Sequence, residues 1–330
     1  MTAETVNPKA LRTKTAAIVF NPIKVEEDVL RSAIASETGA EDWNVLWFET
    51  SEDDPGTGQA KKAVEAGATL IIAAGGDGTV RCVAEVVRGT DVALALLPSG
   101  TGNLLARNLS LTLNDMAHSL RSAFTGATRD IDVARIDIRR ADKSTDQHAF
   151  LVMAGAGLDA KMMGNTDPEL KKKVGWLAYA HALSVTLRDE SALRLGWQID
   201  TGRRHTDRAQ AIIVGNCGSL PANILLLPDA SVDDGLLDVV VVKPESIRGW
   251  LAIVFKIFWE NGIIKRTKLG KKLNGVDIAS MTYRTAKKLE VRLSKAEEIE
   301  LDGDPFGETT GFTVTVEEGA LTIMVPAEAA

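Results

Sequence analysis

A chain of 330 residues, 45% hydrophobic and 25% charged, is long enough for two full cores and has the balance of an ordinary soluble globular protein. Its formal net charge of −7 argues against general nucleic-acid binding, which calls for a basic balance. The two cysteines, Cys82 and Cys217, sit in apolar segments without CxxC spacing, so they read as buried thiols of a reducing compartment.

Residues 1–15 are polar and basic and lack the apolar centre of a secretory signal. From there the first third alternates. Apolar runs at 16–20 (AAIVF), 44–48 (NVLWF), 69–74 (TLIIAA) and 92–98 (VALALLP) are separated by the helical patterns VEEDVLRSAIASE, TGQAKKAVEAG and TVRCVAEVVRG. Short apolar strands alternating with helices predict βαβ units and a parallel sheet. Right-handed crossovers then bring the strands' carboxyl ends to one edge, where ligands of open α/β sheets bind. The loops at that edge are Asn21-Pro22, Glu49-Thr50, the GGDGT loop and Ser99-Gly100-Thr101-Gly102-Asn103.

Beyond about residue 130 the pattern changes to period two. IDVARIDIRR, HAFLVMAG, LRLGWQID, QAIIVGN, LLDVVVV, KKLEVRLS, EEIELDG and FTVTVEE predict antiparallel strands. Helical patterns at 168–189 and 245–262 interrupt them. The expected architecture is an α/β domain followed by a mostly β domain, with a cleft between. No apolar stretch reaches the ~20 residues of a membrane span.

Several motifs invite chemistry. GGDGT lacks the GxxxxGK[ST] of a P-loop. Gly155-Ala156-Gly157-Leu158-Asp159-Ala160 matches GxGxxA, but no acid follows a second strand as dinucleotide binding requires. GGDGT is readable as a plain strand-ending turn or as an anion cradle. A following helix with Thr79 as its expected N-cap, and a second glycine loop one strand later, favour a double phosphate cradle. Asp77 then holds Mg²⁺ or orients a water bound to it. Asp302-Gly303-Asp304-Pro305 and Asp233-Asp234-Gly235 each suit an ordinary turn as well. Beside a phosphate site, paired carboxylates acquire a task, because an alcohol needs a base to take its proton as the P–O bond forms. The four histidines, His118, His148, His181 and His205, show no mutual spacing.

GGDGTV (75–80), PSGTGN (98–103), PDASVDDGLLDV (228–239) and LDGDPF (301–306), in that order, resemble the diacylglycerol kinase catalytic-domain family. Within it, the chain is similar to the soluble bacterial lipid kinases related to sphingosine kinases. The resemblance implies an α/β plus β fold: an N-terminal parallel nucleotide-binding domain of the NAD kinase and phosphofructokinase kind, then an antiparallel β-sandwich. The boundaries expected are 1–130 for ATP and 131–314 for the lipid, with 315–330, including LTIMV, returning to the first domain. The implied activity is ATP- and Mg²⁺-dependent phosphorylation of a lipid hydroxyl, with diacylglycerol as the default acceptor and phosphatidic acid as its product.

Carried over residue by residue, Asn21, Pro22, Ile23, Lys24, Val25, Thr50, Gly76, Asp77, Gly78, Thr79, Val80, Arg81 and Thr101 contact ATP, and the glycine loops add Gly75, Gly100, Gly102 and Asn103. Asp234 with the carbonyls of Ser231 and Leu236 holds a structural Mg²⁺. Asp304 is the general base, with Asp302 its partner or metal organiser. Three departures stand out. Arg81-Cys82 replaces the family's usual Asn-Glu pair, with Glu85 one turn on as a substitute. Ile23-Lys24-Val25 replaces the end of NPxSG, and Asp304 replaces the Glu of LDGE.

An aromatic and basic stretch, 250–272, is the expected contact with anionic lipid, with Lys171-Lys172-Lys173 a weaker second; the null for 250–272 is a core helix followed by a solvated basic loop. The expected location is the cytoplasm, with transient visits to the inner face of the membrane. Oligomeric state, a homodimer included, stays open. Two alternatives accompany this reading. One is an NAD kinase-like enzyme, disfavoured because no TPTGSTAY-like segment occurs in the second half. The other is a nucleotide-binding regulator without turnover, suggested by the departures at Arg81-Cys82 and Asp304.

Overall fold

The structure, a computed structural model, describes residues 14–157, 192–220, 224–243 and 281–327. The helical patterns at 168–189 and 245–262, the 250–272 stretch, Lys171-Lys172-Lys173 and the end of the GxGxxA match lie outside the described residues. The chain divides into two units. The first takes residues up to 101, 111–129 and 321 onward, and the second takes 102–110 and 130–320. Segment 102–110, counted with the ATP domain on sequence, therefore belongs with the second unit.

The first unit alternates β1 (Lys14–Phe20), α1 (Glu27–Ala35), β2 (Trp43–Glu49), α2 (Thr57–Glu65), β3 (Leu70–Gly75), α3 (Asp77–Val87) and β4 (Ala93–Pro98). All four strands are parallel, and they lie in the order β2-β1-β3-β4. The chain thus winds outward from β1 to β2, crosses back over β1, and continues through β3 to β4. The reversal falls between β1 and β3, the kind of crevice in which open α/β sheets bind ligands. Every residue of β3 is buried, which is why LIIAAG reads as an uninterrupted apolar run. Ile18, Phe20, Leu30, Leu70, Ile72 and Leu97 form the core on one face.

After the short helix α4 (Leu104–Asn108), which counts with the second unit, comes α5 (Met116–Thr125), absent from the expected alternation. The Asp115 carboxylate caps it by accepting the His118 amide at 2.9 Å, and Leu120, Ala123 and Phe124 face the core.

The strands that follow are β5 (Ala127–Arg139), β6 (Thr145–Phe150), β7 (Met153–Ala156), β8 (Leu193–Ile199), β9 (His205–Ala209), β10 (Ala211–Gly215), β11 (Ser219–Leu220), β12 (Ile224–Leu225), β13 (Leu237–Val242), β14 (Met281–Ala286), β15 (Lys288–Leu301) and β16 (Asp304–Val325). Antiparallel pairs link β5 to β6, β7 to β10 and β15, β10 to β13, β13 to β14, β8 to β9 and β15, and β15 to β16. They enclose an apolar core that includes Ile136, Phe150, Trp197, Val214, Val239, Leu289, Leu301 and Phe312. This is the β-sandwich of the α/β plus β fold.

Two details differ from the sequence reading. HAFLVMAG is not one strand but β6 and β7, separated by a bend at Leu151-Val152. KKLEVRLS and EEIELDG are one strand, β15, whose register shifts between Arg292 and Glu297 and again between Glu298 and Glu300. These irregularities let β15 pair with β8 along 289–293 and with β7 along 299–301. The last strand, β16, starts beside β15, and near its end Ile323 pairs in parallel with Leu94 of β4.

Candidate functional site

At the carboxyl edge of the first unit's sheet, the backbone ladder runs one residue past each strand. The Thr50 amide donates to the Phe20 carbonyl at 2.9 Å, the Asn21 amide to Ala74 at 2.9 Å, and the Ser99 amide to Gly75 at 3.0 Å. Asn21, Thr50, Gly76 and Ser99 are thereby side by side at the switch point. The Asn21 side chain accepts the Ile23 amide at 2.9 Å, and its carbonyl accepts the Lys24 and Val25 amides, so the loop closes on itself. Pro22, Ile23 and Lys24 project outward, Ile23 being 87% exposed. Val25 instead packs into the core, which leaves its backbone as what it offers a ligand.

GGDGT forms the start of α3, but not as expected. Gly76, in an extended conformation, is the N-cap, and helix begins at Asp77. Thr79 is therefore the third helical residue and not the cap, with its side chain buried against Gly75. Gly76, as the cap residue, brings no side chain of its own to the helix start. A helix start led by glycines offers backbone donors and the positive end of a dipole to an anion. Asp77 lies half-buried in the first turn. Val80, Arg81 and Cys82 turn inward. Cys82 packs beside Gly56, where a Cβ would come within 3.4 Å of its own Cβ.

Gly100 touches this loop from the next strand: a Cβ on Gly76 would stand 3.7 Å from the Gly100 Cα, and Thr101 beyond it is exposed. The second half of SGTGN does not repeat the first loop. Asn103 adopts the left-handed conformation (φ 48°, ψ 49°), and α4 lasts only five residues. The Arg107 guanidinium holds the Gly102 carbonyl at 2.7 Å. The double cradle expected from the sequence is thus one helix start and a neighbouring glycine loop, because a left-handed residue and a single helical turn do not make a second dipole end.

In the second unit, Leu301-Asp302-Gly303-Asp304 is a two-residue hairpin from β15 to β16, with Leu301 paired to Asp304. Asp302 and Gly303 both have positive φ, 51° and 88°, the signature of a type I′ turn and the reason Asp-Gly is found here. The turn reading of this motif is thus correct, yet it is not the whole of it. Asp302 is 6% exposed, and its carboxylate accepts three backbone amides: Leu151 at 2.9 Å, Val152 at 2.8 Å and Met153 at 3.0 Å. Its own amide donates to the Met153 carbonyl at 2.8 Å. Asp302 thereby anchors the hairpin to the backbone at Leu151–Met153. Asp304 is only half-buried.

The Asp233-Asp234-Gly235 turn is organised from a residue that sequence reasoning missed. Asp132, on β5 and 1% exposed, accepts the Gly235 amide on one oxygen and the Gly319 amide on the other, both at 2.7 Å. Its amide donates to Val232 at 2.7 Å. The exposed Asp234 accepts the Leu236 amide at 3.0 Å, and the Ser231 hydroxyl donates to Asp233 at 2.8 Å. Burial, then Asp234, then Asp229, push the nearby Asp238 carboxyl up to about 6. Carboxylates beside a turn that offers carbonyl oxygens are the donor chemistry of hard divalent cations. Among the described residues no group of three or more His, Cys, Asp or Glu side chains is placed to hold a metal ion, so a cation at this turn would rest on Asp234 and the carbonyls of Ser231 and Leu236.

Residues 15–136 match the family model of the diacylglycerol kinase catalytic domain, and residues 152–325 match that of the YegS C-terminal NAD kinase beta sandwich-like domain. A protein of Pseudomonas aeruginosa named "Probable lipid kinase YegS-like" is 30% identical over 94% of each chain. The chain belongs to the diacylglycerol kinase catalytic-domain family, in its YegS-like branch. Two solved structures of the same fold extend the comparison. A diacylglycerol kinase from Bacillus anthracis superposes with a TM-score of 0.66 at 20% identity, covering 96% of this chain and 98% of its own. An NAD kinase from Archaeoglobus fulgidus in complex with ATP gives 0.50 at 12% identity, covering 96% and 95%. This YegS-like chain thus carries a kinase catalytic domain. Among its described residues, no helix is long and apolar enough to cross a membrane.

Proposed function

We propose that the protein is an ATP-dependent lipid kinase that moves the γ-phosphoryl group to the hydroxyl of diacylglycerol or a related lipid alcohol. The observation that carries the reading is the switch-point edge, where the Asn21 turn, Thr50 and the Gly76-led start of α3 lie side by side. Membership in the diacylglycerol kinase catalytic-domain family, and an NAD kinase of the same fold bound to ATP, support nucleotide use.

In this reading, the backbone of Gly75–Arg81 and the Gly100-Thr101-Gly102-Asn103 loop receive the phosphates, with Lys24 adding positive charge. Asp77 orients the triphosphate end through the cation that accompanies it. Asp304 takes the proton of the lipid hydroxyl as the hydroxyl oxygen bonds to the γ-phosphorus. The bond to the bridging oxygen of the β-phosphate breaks, and ADP leaves. Asp302 keeps the hairpin, and hence Asp304, in a fixed place. Asp234, with the Ser231 and Leu236 carbonyls, would hold a Mg²⁺ whose charge would balance the carboxylates of this turn. The 250–272 stretch is the proposed membrane contact, bringing a cytoplasmic enzyme to the inner leaflet.

The test is incubation of the purified chain with labelled ATP, Mg²⁺ and a panel of lipid alcohols in mixed micelles. Label is expected in the lipid. Bound ATP with no labelled lipid would sink the kinase reading in favour of a nucleotide-binding regulator, and label in NAD would replace it with an NAD kinase.

A further inference from the structure

We propose that Asn216 is a positioning residue for the acid hairpin, acting through the Leu151–Met153 bend. The proposal rests on the reading of Asp304 as the group that takes the acceptor's proton.

Met153 opens β7 opposite Gly215, and just ahead of it the chain bends at Leu151-Val152, where polar groups must find partners beyond the paired strands. The bend's amides go to one side. All three, from Leu151, Val152 and Met153, donate to the Asp302 carboxylate. Its carbonyls go to the other. Val152 accepts the Asn216 amide at 2.8 Å and the Cys217 amide at 3.1 Å, while Leu151 accepts the Asn216 Nδ2 and the Cys217 thiol, each at 3.3 Å. The bend is a peptide clip gripped along both edges. One edge is the residue that anchors Asp304, and the other is Asn216-Cys217.

Asn216 reaches further. Its Nδ2 also donates to the Asp132 carbonyl at 2.9 Å, and Asp132 is the residue whose carboxylate holds the cation turn. The amide orientation is forced, because both groups facing the nitrogen are carbonyl oxygens and only an NH₂ can meet them. Asn216 is 1% exposed, and its Oδ1 is buried with no donor among the described groups. A buried acceptor left unmet is costly. A side chain held at that cost is there for its two donated bonds, which a carboxylate or an aliphatic group of the same size does not supply. The Asn216 amide thereby joins the acid hairpin and the cation turn into one polar framework.

The test uses the full chain carrying Asn216→Asp, an isosteric change that turns donors into acceptors. Amide hydrogen exchange is read at Leu151, Val152 and Met153, alongside lipid phosphorylation and ATP titration. Exchange at the three amides is expected to quicken by about tenfold or more, and kcat to fall about tenfold to a hundredfold with KM for ATP unchanged. Measured against wild type at the same pH, the deficit should narrow toward acid pH, where the new carboxyl regains one O–H donor. Wild-type exchange at the bend, or wild-type kcat despite quickened exchange, would overturn the proposal. Should Asn216→Asp fail to fold, Asn216→Ala, which removes both donated bonds without adding charge, is judged by the same two readouts. Asp304→Asn run beside it separates the two ideas. Full transfer by that variant removes the premise about the base and the proposal with it, whereas the exchange rates report on the clip whatever the activity.

Discussion

Thr79 lies over Gly75 so closely that a Cβ on Gly75 would stand 2.8 Å from both its Cβ and its Oγ1. The first glycine of the loop thus serves helix packing, and the second, Gly76, serves the cap. Gly75→Ala must push α3 away from the strand that feeds it. Overpacking of this kind costs about 1–3 kcal/mol. The expected outcome is a lower melting temperature together with at least a tenfold weaker ATP affinity in a titration, because the helix start is displaced with the side chain.

Asp302 and Asp304, two residues apart, should fail in opposite ways. Asp302→Asn turns an NH₂ toward buried amide donors and is expected to cost about 1–3 kcal/mol, seen as a fall in melting temperature. Asp304→Asn, at a half-buried position, should leave melting temperature and ATP affinity nearly unchanged and abolish phosphoryl transfer. Equal thermal loss in both variants would remove the distinction.

Divalent cation should stabilise the wild-type chain by mass action, raising its melting temperature as Mg²⁺ is added. In Asp234→Asn that rise should disappear. The measurement is a thermal melt across a Mg²⁺ series, and a full response in the variant would move the cation elsewhere.

Asp207 gives the second unit a pH dependence. Burial acts to raise its carboxyl, but the Trp197 indole N–H at 2.7 Å and the Lys243 ammonium at 3.1 Å outweigh it and hold the group below the usual carboxylate range. A carboxyl lowered on folding stabilises the native state above its unfolded pKa, and the gain is lost as pH falls through the folded value. Asp207→Asn should therefore melt earlier than wild type at neutral pH, with the gap closing as pH falls below about 4. A gap that stays constant with pH would show that packing, not charge, is what the substitution removes.

The strand–helix alternation of the first unit and the period-two runs of the second were legible because burial on two faces or one leaves a direct mark on the residue order. The cap of α3 lies three residues ahead of Thr79, since Asp-Gly-Thr has turn composition and only the extended Gly76 reveals that the helix begins directly after it. Asn103 was hidden for a related reason: a left-handed residue leaves no signal beyond being an asparagine next to a glycine. The helix from Met116 to Thr125 did carry a signal, an aspartate cap followed by apolar residues at helical spacing, and it was there to be found. Asp132 was not. Flanked by Ile131 and Val133, it looks like an outward-facing acid in an alternating strand, and its partner Gly235 lies 103 residues away. Asn216 and Asp302 are obscure in the same manner, because their roles are defined by peptide groups 65 and about 150 residues distant. Spacing along a chain identifies groups that act locally, whereas these three act on backbone that only the fold brings near.

The 22-residue strand from Asp304 to Val325 begins with the acid and ends beside β4. The first unit therefore has no single contiguous coding segment. A fragment ending near residue 130 lacks a strand that its sheet needs, and exchanging the β-rich half between relatives would import a foreign edge into the sheet of the other unit. The strand also has little tolerance for length change. Deleting one residue between Asp304 and Ile323 would turn over every side chain on one side of the cut. Substitutions along this stretch are open to drift, but insertions and deletions are not, and that asymmetry should mark the strand in any large library of variants.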